Sequence, residues 1–409
     1  MSKLHVEICK IDSITPIENA DRIVLATVKG WNCIIGKDTF NIGDLCIFIP
    51  PDAVLTEEFI EKNKLNYLKG TRIRTIKLKG VISQGLVLPM TILKGTRYID
   101  KCANPEGEDV AKILGITKYE PPVIQASQPK DTFFNLYGKF TRKEITLRRF
   151  VAKSFGLVKD YFRPKKKVNP NFDVYTDLDN IKHYPEVFEN GEDVVITEKI
   201  HGTNFRAGVL PLNETVIGRI KQFFTKETHE FVYGSHRVQK SAFSGKGFYG
   251  EDVYGQIAER YNLKNLGKDY IVYGEIYGEK IQELTYGMKG IDVVFFDVKY
   301  KDKYLDYEQF KSFCTWYNLP MVPELFSGKY DAGTVKLCTE GMTTLGCKAE
   351  VGGMSSPHIR EGCVVKPLFE AYSNKCGRKI LKSISPEYLL TKKQDKPEEF
   401  VDDNAEFSH

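Results

Sequence analysis

The sequence predicts an α+β chain in which a small N-terminal β-barrel precedes a larger unit of mixed antiparallel sheet and packed helices. Three observations carry that prediction. Residues 1–90 contain short segments rich in β-branched residues with turn residues between them, as expected of strands joined by tight connections. From about residue 186 onward, strong β segments alternate with helical candidates, and no internal repeat is evident. The chain has 409 residues, which at roughly 150 per domain makes two or three domains with room for a sizeable core.

Composition narrows the class. Hydrophobic residues at 42% and charged residues at 28% exclude a fully disordered chain. Lysine plus arginine at 59 against aspartate plus glutamate at 54 gives a formal +5, too small to diagnose nucleic-acid binding, although local basic patches can still hold a polyanion. No stretch approaches the roughly 20 apolar residues needed to cross a bilayer, and MSKLHVEICK lacks the apolar segment of a secretory signal. An intracellular, cytoplasmic protein without a membrane partner is expected. The nine cysteines form no CxxC pair and read as reduced, structural thiols.

In the N-terminal region the strand candidates are HVEIC, RIVLATV, WNCII, LCIFI, IRTIKL and GLVLP. Ile73, Ile76 and Leu78 interleave imperfectly with Arg72, Arg74, Lys77 and Lys79, which suits a sheet edge with one packed and one basic face. Barrels of about five strands either bind single-stranded nucleic acid or serve as structural modules. Residues 96–185 read as linker and insertion: Glu120-Pro121-Pro122 breaks any element, Leu147 to Leu157 suits a short helix, and Arg163 to Lys167 is a phosphate contact or an exposed basic loop. Beyond it VVITEKI, FRAGVL, FVYGS, YIVYGEIYG and DVVFFDV read as strands, and DVYGQIAERYN and LDYEQFKSFCTWY as helices. ILKSISPEYLL closes the folded mass, and residues 391–409 form a polar tail.

Chemistry concentrates in four segments. Lys199 lies near the end of VVITEKI and shares strand parity with Val195 and Thr197, which would let its amine face a cleft before Gly202 permits a turn. A lysine can act as a covalent nucleophile, but at pH 7 it needs roughly 4 kcal/mol of help to be neutral. YIVYGEIYGEKIQ presents Tyr273, Glu275, Tyr277 and Glu279 at period two, so that a carboxylate can accept hydrogen bonds from a ribose. IDVVFFDV supplies Phe296 for stacking or core packing, with Asp297 on the opposite face. EGCVVKP supplies Glu361 and Lys366, of opposite parity unless Gly362 bends the strand, and RKILKSIS supplies Lys379 and Lys382. A reactive lysine, a ribose acceptor, an aromatic plate, a metal-ready carboxylate and phosphate-binding lysines together describe a nucleotide site.

The run Lys199 to Arg206 resembles the nucleophile motif of covalent nucleotidyltransferases, in the KxHGxN form of RNA ligases. Ser235-His236-Arg237, Tyr273 to Gly278, Val294 to Val298 and Glu361 to Pro367 resemble the family's later motifs, in the same order. ENADRI and RIRTIKLKGVISQGL resemble the oligonucleotide-binding (OB) module that precedes the catalytic domain in the fifth, Deinococcus-type group of RNA ligases. The likeness covers most of residues 1–125 and 172–390. Two departures stand out: residues 124–171 look longer than the family linker, and Ile380 occupies the first lysine position of the final motif, where Lys379 or Lys366 would have to compensate.

The resemblance implies an α+β chain with an OB-like barrel over 1–95, a linker and insertion over 96–185, and an adenylyltransferase domain of ATP-grasp-like antiparallel sheets and helices over 186–390. It implies an ATP-dependent RNA ligase that uses Mg2+, or Mn2+ in its place, and seals 3′-hydroxyl/5′-phosphate breaks through a lysyl-AMP. Lys199 is then the nucleophile. Arg237 contacts ribose or phosphate, Glu275 the ribose hydroxyl, and Phe296 stacks on adenine. Lys366 and Lys382 steady phosphate oxygens. Asn204 organises metal-bound water or the 5′-phosphate, His201 has a positioning role, and Glu198 reads the adenine amino edge. Glu361 holds hydrated metal, with Asp297 and Glu279 engaging it or stabilising the local fold. The implied partner is a nicked RNA or RNA/DNA hybrid duplex, bound by a monomer. DNA ligase, capping guanylyltransferase and a non-catalytic nucleic-acid scaffold are the alternatives.

Overall fold

All six strand candidates of the N-terminal region form. A computed structural model describes residues 3–96, 98, 105–119, 137, 139–143, 146–151, 168–212, 227–236, 238–240, 252–345 and 358–391. Its N-terminal elements are β1 (Glu7–Lys10), β2 (Ser13–Pro16), β3 (Ile23–Val28), β4 (Trp31–Gly36), β5 (Leu45–Ile49), β6 (Ala53–Val54), α1 (Glu57–Lys62), β7 (Thr75–Leu78), β8 (Val81–Gln84), β9 (Leu86–Pro89), α2 (Ala111–Leu114) and β10 (Thr117–Lys118). The ladders fall into four small antiparallel sheets, β1-β5-β9, β2-β3-β4, β7-β8 and β6-β10, rather than one closed barrel. Side chains bridge them: Ile34 N on β4 donates to Ser83 Oγ on β8 at 2.9 Å.

The apolar run of β5 explains the arrangement, because it is buried on both faces. Ile47 and Ile49 join Val6, Ile8 and Leu55 in one cluster, while Cys46 and Phe48 join Cys9, Val28 and Trp31 in another. Burial pushes the thiols of Cys9, Cys33 and Cys46 up to about 12, which makes them inert structural groups. The expected packed face of β7 is corrected: Ile73 is buried, but Ile76 and Leu78 are 52% and 44% exposed. Lys79 and Gly80, both at positive φ, form the tight turn of the β7–β8 hairpin, whose β8 strand packs on β4 while Ile76 and Leu78 of β7 face outward.

The chain divides into two units. One comprises Met1–Pro121, Tyr175–Asn204 and Val272–Glu398, and the other Pro122–Val174, Phe205–Ile271 and Glu399–His409. Continuing along the chain are β11 (Asp179–Asn180), β12 (Asp193–Lys199), β13 (Thr203–Pro211), β14 (His229–Gly234), β15 (Gln239–Lys240), α3 (Val253–Arg260), β16 (Tyr270–Gly278), β17 (Ile291–Tyr300), β18 (Lys303–Tyr304), α4 (Tyr307–Tyr317), β19 (Glu324–Lys329), α5 (Ala332–Thr339), β20 (Gly362–Pro367), β21 (Tyr372–Ser373), β22 (Gly377–Arg378), β23 (Leu381–Ile384) and α6 (Pro386–Thr391). In the second unit β14 pairs antiparallel with β13 and β15, and Asp252 caps α3 by accepting from Gly255 N. Residues 147–151 are helical; the rest of that candidate, Glu120-Pro121-Pro122, Arg163 to Lys167 and the tail from 392 lie outside the described residues.

A five-stranded sheet in the order β11-β23-β20-β12-β19 organises the first unit, antiparallel except for the β11–β23 pair. One face packs on α5 through Val194, Ile196, Cys363, Val365 and Leu381, with Phe188 and Tyr330. Residues 179–184, read as linker from sequence, supply its edge strand and a clamp on the N-terminal module. Lys182 lies 4.5 Å over the Trp31 ring, Lys29 pairs with Glu7 and donates to His183 O at 3.3 Å, and Tyr184 Oη meets His5 Nε2 at 3.2 Å. A two-residue Asp-Asn strand has neither periodicity nor β-propensity, so no local signal marked it.

Candidate active site

Strand alternation builds the site. With Val194 and Ile196 of β12 turned into the α5-covered core, Val195, Thr197 and Lys199 face the other way. The register sets Val195 opposite Lys366, Thr197 opposite Val364, Lys199 opposite Gly362, and Val364 opposite Lys382. Lys199, Lys366 and Lys382 therefore share one sheet face across three adjacent strands. Gly362 resolves the parity conflict between Glu361 and Lys366: its φ is +154°, and a Cβ there would lie 2.0 Å from Ser383 O. The bend brings Glu361 Oε1 to 2.9 Å from Lys199 Nζ, with the lysine side chain 26% exposed.

Beyond Lys199 the chain turns at Gly202, where a Cβ would meet Ile276 O at 2.1 Å and Glu275 Cγ at 3.0 Å. The turn thus sits directly on β16, beside half-buried Glu275. His201 N donates to Tyr286 Oη at 2.7 Å, and His201 Nδ1 lies 2.8 Å from Tyr388 Oη and 3.9 Å from Glu361 Oε2. Burial, together with the charges of Glu361, Glu198 and Glu275, raises the Tyr286 phenol, so it stays protonated among three carboxylates. Gly202→Ala is expected to displace this turn. Stability should fall by about 1–3 kcal/mol in a denaturant titration, with a larger proportional loss in the rate of any reaction at Lys199.

Phe296 is half-buried on β17, packed near Ile200, Tyr277 and Tyr286 and edge-on to Tyr175 at 4.8 Å. Asp297, on the opposite face, is fully buried. It accepts from Arg378 Nη2 at 2.6 Å and Tyr175 Oη at 2.8 Å, and Lys366 Nζ lies at 3.4 Å. Burial alone would raise its carboxyl, but Arg378 and Lys366 outweigh it and hold the group below the usual carboxylate range. Arg378 also grips Glu370 and lies 3.5 Å over the Tyr304 ring. These contacts favour the fold-stabilising role of Asp297 over the metal role.

The other site residues separate. Glu279 Oε2 accepts from Gly290 N at 3.2 Å, closing its own loop. Glu198 alternates away from the Lys199 face. There Thr344 N and Oγ1 donate to it at 2.8 and 2.6 Å, and Thr343 Oγ1 adds a third bond. Three of the acceptor positions of the Glu198 carboxylate are thus already occupied by protein donors. Lys379, considered as a substitute phosphate ligand, holds both oxygens of Glu192 at 2.7 Å. Lys366 is already paired with Asp297. Ile380 is 4% exposed. Arg237 lies outside the described residues; its neighbour Ser235 accepts from Arg206 Nε at 2.9 Å within the second unit. Sequence reasoning missed Tyr286, Tyr388, Arg378 and the Thr343-Thr344 pair, none of which carries a local motif.

Among the described residues no group of three His, Cys, Asp or Glu side chains stands ready to hold a metal ion. Glu361, Asp297 and Glu279 are thus not gathered into one. Two buried oxygens, Glu361 Oε2 and Asn204 Oδ1, have no hydrogen-bond partner among the described residues. Hard oxygen donors left unsatisfied suit a magnesium-like cation, which keeps most of its water and takes one or two protein carboxylates alongside substrate phosphates.

Comparisons with known proteins bear on the fold. Residues 5–90 match a family model described as an OB-fold domain, and residues 192–384 match one described as RNA ligase. No curated protein sequence matches the chain. Among solved structures, an apo alanine mutant of Naegleria gruberi RNA ligase is 24% identical with a TM-score of 0.64, covering 96% of this chain and 99% of that one. A second alanine mutant, with ATP and Mn, gives 24%, 0.65 and the same coverage. The Naegleria gruberi RNA ligase with PPi gives 23% identity and a TM-score of 0.63, again over 96% and 99%. Likeness at this identity establishes the fold: an OB-fold domain followed by an RNA ligase domain. Among the described residues no helix is long and apolar enough to cross a membrane.

Proposed function

We propose, for a chain that joins an OB-fold domain to an RNA ligase domain, that it is an ATP-dependent RNA ligase working through a lysyl-AMP. The observation that carries this reading is Lys199 held 2.9 Å from Glu361 on the sheet face that also bears Lys366 and Lys382. Solved Naegleria ligases bound to ATP and Mn or AMP and Mn support the cofactors.

Lys199 Nζ attacks the α-phosphorus of ATP; a P–N bond forms as the bond to the β-phosphate oxygen breaks and pyrophosphate leaves. The 5′-phosphate of the nucleic acid then displaces Lys199 from AMP, and a 3′-hydroxyl oxygen finally displaces AMP from that 5′-phosphate. Paired with Glu361, Lys199 rests as an ammonium and must lose its proton before attack. A divalent cation would be held by Glu361, with Asn204 organising its bound water or the 5′-phosphate, and would supply charge neutralisation at the phosphates. Lys382 faces the same cleft as a phosphate contact, Glu275 serves the ribose, Phe296 the adenine ring and Arg237 the ribose or phosphate. Lys366 acts with Asp297 already beside it. In the substrate, a nick in a duplex with an RNA 3′-end, the OB-fold domain holds the strand that supplies the hydroxyl.

The full-length chain incubated with α-labelled ATP and Mg2+ or Mn2+ should acquire a covalent AMP label. Preference for GTP, with transfer onto a 5′-diphosphate end, would replace the assignment by a capping activity. Nicked duplexes that differ only in the sugar of the 3′-terminal nucleotides should be sealed faster with RNA there, and equal rates would remove the RNA preference.

A further inference from the structure

His201 Nδ1 lies 2.8 Å from Tyr388 Oη and 3.9 Å from Glu361 Oε2. A neutral imidazole carries one N–H, and its position decides which oxygen it serves. If Nδ1 bore the proton, the carboxylate would be the stronger acceptor, since a hydrogen bond to an ionised oxygen is about twice as strong as one to a neutral oxygen. The ring would then close on Glu361 and cap the oxygen that has no hydrogen-bond partner among the described residues. Tyr388 is placed to prevent this. It is buried on α6, whose start is tied to the same carboxylate residue: Ser385 N donates to Glu361 O at 2.8 Å, and Tyr388 N to Ser385 Oγ at 3.4 Å. The phenol and Glu361 thus approach the imidazole from two chain segments tied together by the Ser385 N to Glu361 O hydrogen bond.

We propose that Tyr388 is a positioning residue whose hydroxyl donates to His201 Nδ1, fixes the ring proton on Nε2, and so keeps Glu361 open to the divalent cation. The inference rests on the ligase reading for the use of that cation, but not for the tautomer. Nitrogen-15 correlation spectra of the full-length, metal-free protein, with the His201 ring assigned by its loss in His201→Gln, should show Nδ1 as an unprotonated acceptor and Nε2 bearing hydrogen. In Tyr388→Phe the Nδ1-protonated form should appear, and the Mg2+ concentration giving half-maximal lysyl-AMP formation should rise about five- to tenfold, with the rate at saturating Mg2+ less affected. In the His201→Ala background, Tyr388→Phe should leave the Mg2+ midpoint where His201→Ala alone sets it. A protonated Nδ1 in the wild-type protein overturns the proposal, as does a midpoint shift of equal size in both backgrounds. If Tyr388→Phe does not fold, the wild-type spectrum decides. Absence of any AMP label on the wild-type chain would defeat the ligase reading while leaving the tautomer assignment standing.

Discussion

Lys199→Ala should abolish the covalent AMP label, lowering single-turnover adduct formation by at least about 1,000-fold, because among the described residues neither lysine that shares its sheet face is placed to take the nucleophile's part. Lys366 and Lys382 share its sheet face, yet Lys366 is paired with Asp297, and Lys382 is displaced by two strands across the register. Lys199→Arg is the sharper companion. A guanidinium keeps the positive charge beside Glu361 but cannot shed its proton in a protein. It should therefore retain folding and lose the adduct as completely as alanine does. Sealing of a substrate supplied already adenylylated at its 5′-phosphate should survive both substitutions better than the overall reaction, since that step no longer uses the amine. An unchanged adduct yield in Lys199→Ala would sink the mechanism.

Asp297→Ala should cost about 3–5 kcal/mol of stability, because it leaves Arg378 and Lys366 as buried cations without their common counter-charge. The measurement is the urea midpoint, followed by tyrosine fluorescence or circular dichroism. Acid titration gives an independent check. Because the Asp297 carboxyl is held below its usual range in the folded protein, its stabilisation is fully present above the unfolded value of about 3.9 and is lost as pH falls through the lower folded value. Wild-type stability should therefore decline in strongly acidic solution by an increment that Asp297→Ala does not show. Matching acid limbs in the two proteins would mean that Asp297 contributes little.

Much of the site was legible because its chemistry lies in contiguous segments whose strand parity can be counted. Parity placed Lys199 with Val195 and Thr197, set Asp297 opposite Phe296, and left Gly362 as a residue that could supply a bend, and the structure shows all three. The same rule, applied one residue earlier, would have turned Glu198 away from Lys199. Tyr388, Tyr286 and Arg378 were not legible, since each acts on a partner about 80 or more residues away, and a single sequence carries no record of such pairings. The exposed β7 hairpin was misread because an interleaved apolar pattern reports a preference for burial, not the presence of a surface to receive it. The OB-fold domain was recognisable, but its division into four small sheets was not, because it depends on which strands pair across the two clusters that β5 joins.

The clamp formed by Trp31, Lys29 and His5 on residues 182–184 bears on how the chain can be dissected. Cutting away the first 95 residues would strip an indole from a lysine that burial has lowered to about 8, and uncover the ring of His183, which the same burial holds neutral down to about 3. In water His183 would become able to take up a proton near neutral pH, and Lys182 would hold its proton more tightly, beside the strand that carries Lys382. A shortened catalytic fragment would thus differ from the parent in its electrostatics and in the stiffness of that edge, as well as in its grip on nucleic acid.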